Sequence, residues 1–132
     1  MLLGESFMHV LLVEDDHTAR ETTCAMLERA GYTVTSVENG IAGFAALQQD
    51  RFDAIVCDVR LPFLSGRGFY EQVREVYPEM AGRMVFVSGW TKDPSVQQAV
   101  QETGRPILSK PFTMSLLVAA LQDIIDAAAS AQ

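Results

Sequence analysis

Residues 52–66 read FDAIVCDVRLPFLSG, and this stretch decides the fold. Phe52 to Cys57 is a short apolar run that stops at Asp58, and Pro62, Ser65 and Gly66 follow as a loop. A near-continuous apolar run of this length, interrupted only by Asp53 near its start, reads as a strand buried on both faces. Strands of that kind belong to parallel sheets, whose members are joined by crossover helices. Gly66 to Val76 supplies the next helix, with Phe69, Tyr70 and Val73 at helical spacing and Pro78 helping to stop it.

The same alternation continues in both directions. On the N-terminal side, His9–Val13 (HVLLV) is a strand ending at Glu14, Asp15 and Asp16, and Thr18–Arg29 is a helix closed by Gly31. YTVTSV at 32–37 is a strand, Asn39 and Gly40 turn the chain, and Ile41, Phe44, Ala45 and Leu47 mark a second helix. On the C-terminal side, Arg83–Val87 is a strand leading to Ser88 and Gly89, and Asp93 with Pro94 opens a helix carrying Val96, Ala99 and Val100. Gly104 closes that helix. Pro106–Ser109 is a short edge strand, and Ser115–Ala128 is a last helix with Leu116, Leu117, Ala120, Leu121, Ile124 and Ile125 at helical spacing. The expected fold is therefore α/β, a doubly wound five-stranded parallel sheet with helices on both faces.

A chain of 132 residues buries about two thirds of its unfolded surface, which supports one core. Its net charge of -7 disfavours a phosphate backbone or an anionic membrane as partner. Cys24 and Cys57 lie in apolar stretches without metal-ligand spacing, so core filling in a reducing compartment is expected. No run approaches eighteen apolar residues, and MLLGESFM lacks the basic start and long apolar run of a secretion signal. A cytoplasmic domain is expected over 8–126. Residues 1–7 are read as a flexible or expression-derived segment, and 127–132 as a helix end or the start of a linker.

In a parallel sheet the loops after the strands gather at one edge, where open α/β sheets bind their ligands. Glu14, Asp15, Asp58, Ser88 and Lys110 should converge there. Three carboxylates in one mouth repel one another without a cation, and a hard divalent ion such as Mg²⁺ resolves that conflict through oxygen ligands. Asp58 could then attack phosphorus in line to form an acyl phosphate, with the metal and Lys110 neutralising the phosphoryl oxygens and Ser88 donating a hydrogen bond. Polar loops and caps at strand ends account for the same residues without any such chemistry. His9 and His17 have no metal-ligand spacing around them, and Trp90 is read as packing cover or as a protein-binding surface. No Walker, GxGxxG or GxSxG pattern is present, so nucleotide hydrolysis and direct nucleic-acid reading have little support.

LLVEDD (11–16), IVCDVRLPFLSG (55–66) and ILSKPF (107–112), in this order after successive strands, together resemble the receiver domain of two-component response regulators. The resemblance spans residues 8 to about 126 and implies strand order 2-1-3-4-5. It implies that Asp58 is phosphorylated from a histidine kinase or a histidine-phosphotransfer protein. Glu14 and Asp15 become the acidic pair for Mg²⁺, and the Arg60 backbone carbonyl completes the protein ligands. Ser88 takes the switching hydroxyl position, Lys110 contacts phosphate, and Pro111 is the candidate for a cis peptide. Arg60 and Trp90 flank the site. The aromatic switch position falls on Ile107, which has no ring to move, so switching through the Asp93-capped helix and the last strand should be coupled differently. The RPILSKPF segment and the missing aromatic resemble receivers attached to hybrid histidine kinases, with a solitary receiver as the alternative. A phosphorylation-dependent homodimer through the face from the fourth to the fifth predicted helix is a further expectation, with no direct contact to nucleic acid or membrane. Competing readings are a nonphosphorylated interaction module with this fold and a metal-dependent phosphohydrolase with an aspartyl intermediate.

Overall fold

The computed structural model describes residues 7–89 and 93–130. Five strands, β1 (His9–Val13), β2 (Thr33–Val37), β3 (Ala54–Asp58), β4 (Met84–Ser88) and β5 (Ile107–Ser109), form one parallel sheet in the order β2-β1-β3-β4-β5. The helices are α1 (His17–Arg29), α2 (Gly40–Gln49), α3 (Gly66–Val76), α4 (Pro78–Ala81), α5 (Pro94–Gln101) and α6 (Met114–Ser130). Alternation along the strands builds two cores. Leu11, Val13, Ile55, Cys57 and Phe86 face one layer with Phe69 and Val73 of α3 and Val100 of α5. Val10, Leu12, Val56 and Val85 face the other with Leu27 of α1 and Leu117 and Leu121 of α6.

Three residues placed at helical core spacing turn outward: Ile41, 61% exposed, Leu116, 55% exposed, and Ala45. In α2 it is Gly40, Gly43 and Leu47 that face inward, because the Phe69 ring packs where side chains on the two glycines would stand. Pro78 does more than stop α3. Its fixed φ and missing N–H suit the first position of a helix, and it starts the one-turn α4, so the Asp93-capped helix is α5. β3 begins at Ala54, two residues later than the apolar run suggests, and takes in Asp58. Asp53 is diverted to bind the His9 backbone N–H through its side chain, 2.7 Å.

Side-chain caps fix where the helices begin on the carboxyl edge. Asp16 accepts from Ala19 N–H at 2.8 Å, Asn39 from Ala42 at 2.8 Å, Ser65 from Gly68 at 3.0 Å and Asp93 from Ser95 at 3.0 Å. Gly31 and Gly104 take positive φ just beyond the ends of α1 and α5. The register sets Asp58 opposite Val87 and Ser88 opposite Ser109, so the last residues of β3, β4 and β5 end close together.

Candidate functional site

Glu14 and Asp15 follow β1 directly, Asp58 and Ser88 are the last residues of β3 and β4, and Lys110 follows β5. The structure brings all five to the carboxyl edge. Glu14, 1% exposed, is held in the sheet by its N–H to the Val37 carbonyl at 3.0 Å, whereas Asp15 is exposed. The carboxylate oxygens of Glu14, Asp15 and Asp58 lie within 4.8 Å of one another. Lys110 Nζ donates to Asp58 Oδ2 at 2.6 Å and also to Glu14 Oε1. Its backbone N–H reaches the Ser88 carbonyl at 2.8 Å, and the peptide bond to Pro111 is cis, as the resemblance to receiver domains implies. The Arg60 N–H folds back on Asp58 Oδ1 at 2.8 Å.

One ammonium does not balance three carboxylates. Burial, and next the hydrogen bond to Asp58, raise the pKa of Glu14 to about 7, against the opposing pull of Lys110. Burial alone would lower Lys110, but its hydrogen bonds to Asp58 and Glu14 outweigh it and hold the ammonium above the ordinary lysine value. A buried carboxyl pushed toward its protonated form beside two others is a site short of positive charge, and its donors are all hard oxygens. That set fits Mg²⁺ and would not suit a soft metal.

Two partners were not legible in the sequence. The Ser88 hydroxyl donates to Gln97 Oε1 on α5 at 3.0 Å, with the Gly89 carbonyl, at 3.1 Å, competing for the same proton. Helical spacing narrows the choice to the first turns of α5, but nothing in one sequence separates Gln97 from Gln98. Arg20 of α1 donates to the carbonyls of Glu14 and Asp15, at 2.9 and 3.3 Å, and so holds the acidic loop by its backbone. Ile107 is half-buried against the Phe86 layer. His9 is structural, its ring 4.3 Å from that of Phe52 and bonded to Thr35 and the Arg51 carbonyl, and His17 pairs with Glu21 on the surface. Trp90 lies outside the described residues.

A doubly wound sheet of order 2-1-3-4-5, with an acidic triad and a lysine at its carboxyl edge, defines a receiver of the phosphorelay type. The family model for the response regulator receiver domain matches residues 10–122, and the chain belongs to that family. It is 32% identical over 117 residues to the transcriptional regulatory protein CseB of Streptomyces coelicolor, covering 89% of this chain and 49% of that protein. The chain thus spans about half the length of the CseB regulators it matches. It is 29% identical to the response regulator receiver protein CpdR of Brucella abortus, over 90% of this chain and 98% of that one. The receiver domain of a sensor histidine kinase from Pseudomonas aeruginosa PAO1, solved with a magnesium ion in its active site cleft, superimposes with a TM-score of 0.78 at 29% identity, covering 92% and 99% of the two chains.

Proposed function

We propose that the chain accepts a phosphoryl group on Asp58 from the phosphohistidine of a histidine kinase or histidine-phosphotransfer protein, and that the phosphate changes the surface formed by α5, β5 and α6. The observation that carries this reading is the placement of Asp58: last in β3, 6% exposed, bonded to Lys110 and within ligand distance of Glu14 and Asp15. An Asp58 oxygen attacks phosphorus, the P–N bond breaks, the electron pair leaves with the imidazole, and an acyl phosphate remains. Asp15, Asp58 and the Arg60 backbone carbonyl, with Glu14 beside them, would hold a Mg²⁺, which would supply positive charge to the phosphoryl oxygens. Lys110 is already on Asp58 Oδ2 and transfers its hydrogen bond to a phosphoryl oxygen as that carboxylate is phosphorylated.

Ser88 must leave Gln97 to reach the same group, and this exchange is the link to α5. Free thiols at Cys24 and Cys57 suit a reducing cytoplasm, where such donors work. A groove of about 450 Å³ between α1 and residues 110–112, lined by Thr22, Met26, Pro111 and Phe112, opens beside Lys110 and gives a donor protein a second foothold.

The test is intact-mass measurement after incubation with Mg²⁺ and acetyl phosphate. A single phosphate on the wild type and none on Asp58→Asn is the expected result. An equal adduct on both proteins would remove Asp58 from the role.

A further inference from the structure

The loop between β3 and α3 carries a side chain that folding does not explain. Phe63 is 87% exposed, and its φ is +69°. The Leu64 N–H bonds the Pro62 carbonyl two residues back, at 2.7 Å, which makes Phe63 the centre of a γ-turn of the rare, strained hand. Positive φ is a glycine or asparagine conformation, and for a bulky residue it is an outlier. Among the described residues its ring stacks on no other ring, whereas its neighbours Leu61 and Leu64 both pack on the core below. The turn therefore serves the two leucines, and a glycine at 63 would serve it better. A large apolar ring in the least favourable backbone region, held out into water, contributes nothing to the fold.

Its position supplies a use. A Cβ on Gly66 would lie 2.7 Å from the Asp58 carbonyl oxygen, so the start of α3 is pressed against the acceptor residue. Phe63 is three residues from Gly66 and so at most about 11 Å from it along the chain. A protein that delivers a phosphoryl group must bring its own reacting atom to Asp58, and an ordinary interface covers about 800 Å² on each partner, a patch of roughly 16 Å radius. The Phe63 Cα, at most about 15 Å from the Asp58 carbonyl oxygen by these two steps, falls inside a footprint of that radius. The exposed Asp15 and Asp16 on the same rim, with the net charge of -7, favour a basic or neutral face over a lipid surface.

We infer that Phe63 is an anchor for the phosphohistidine-bearing donor protein, filling an apolar recess beside its phosphohistidine. This rests on the phosphoacceptor reading of Asp58. Exposed aromatics that become buried are the side chains that dominate binding energy, and a rigid turn presents this one with little entropy left to lose.

Phe63→Asn keeps a residue that tolerates positive φ and removes the ring; Phe63→Tyr retains the ring. Phosphorylated histidine kinases and histidine-phosphotransfer proteins of the source organism are first profiled against the full wild-type chain, and the fastest donor is kept. Each variant is then phosphorylated by that donor and, separately, by acetyl phosphate. Phe63→Asn is expected to melt no lower than wild type, to react with acetyl phosphate within twofold of wild type, and to lose at least tenfold in kcat/KM with the protein donor through KM. Phe63→Tyr should retain most of the donor rate. Unchanged transfer in Phe63→Asn overturns the anchor and leaves the acceptor site standing. So does an equal loss with both donors, a lower melting temperature, or an effect confined to self-association of the chain. If acetyl phosphate fails to label wild-type Asp58, the acceptor reading itself falls, and the anchor with it.

Discussion

Gly66 and Gly68 are two residues apart in α3 and meet different neighbours. A Cβ on Gly66 would stand 2.7 Å from the Asp58 carbonyl oxygen, 2.9 Å from Val59 Cα and 3.0 Å from the Val59 carbonyl oxygen, all backbone atoms that position the acceptor. A Cβ on Gly68 would meet Leu64 Cδ1 at 2.8 Å, the end of a flexible side chain. Gly66→Ala should therefore cost about 1–3 kcal/mol, as overpacking does, and slow acetyl-phosphate labelling as well. In Gly68→Ala the gain in helix propensity, about 1 kcal/mol, offsets the displacement of Leu64 and leaves stability nearly unchanged. Urea unfolding of the two variants checks this; equal losses would mean that the backbone at Asp58 has room to move. At this scale much of the site was legible. Glu14, Asp15, Asp58, Ser88 and Lys110 each stand where an apolar run ends, and a parallel sheet brings such ends together. Arg20 and Gln97 were not, because a polar residue on a helix shows its partner only once the helix is docked.

At the scale of the element, α5 is held between two contacts that phosphorylation would set against each other. Arg67 of α3 donates to the Ala99 carbonyl and to Glu102, securing the C-terminal half of α5, while Gln97 accepts the Ser88 hydroxyl nearer its start. Ser88 cannot stay on Gln97 and also approach phosphate on Asp58. The Gln97 hydrogen bond therefore biases the unphosphorylated arrangement by the net worth of one buried bond, about 0.5–1.5 kcal/mol. Gln97→Ala should make the phosphorylated arrangement roughly two- to tenfold easier to reach, read as a lower half-saturating concentration of beryllofluoride in amide spectra of α5. An unchanged midpoint would show that the bond does not oppose switching. Ile107, half-buried on β5 and lacking a ring, leaves this exchange as the more direct route to α5. The elements themselves were readable from period and turn residues, and the mistakes came where position rather than composition decides. Ile41 and Leu116 are apolar but fall on outward faces of their helices, and Pro78, which ends one helix, also begins another. Which strand-end residues stand opposite one another likewise depends on register, which no single run of residues reveals.

For the whole molecule the acidic edge is a liability in the absence of a cation, and its sign can be worked out. Glu14, facing Asp58 of β3, Asp15 beside it and Lys110 after β5, is raised to about 7 in the folded chain from 4.5 for an unperturbed glutamate. Between those values the native state holds a proton that the unfolded chain has lost, so stability is highest below about 4.5 on this account and is lost as pH rises through about 7. Lys110, raised from 10.5, contributes no slope in that window. In EDTA the melting temperature should thus fall between pH 5.5 and pH 8, and Glu14→Gln should flatten the fall. Added Mg²⁺ should bind the folded site and stabilise it by mass action, by about 2.7 kcal/mol at a hundredfold excess over Kd. For a domain of this size that is on the order of 10 °C. The ion must displace the Glu14 proton at pH 5.5 but not at pH 8, so the Mg²⁺-induced rise should be larger at pH 8. Asp15→Asn, which leaves the buried pair and Lys110 in place but removes the exposed carboxylate, should lose most of that rise while keeping the pH slope measured in EDTA. A melting temperature that rises with pH in EDTA, or an Asp15→Asn protein that responds to Mg²⁺ as the wild type does, would show that charge excess at this edge does not set the stability of the domain.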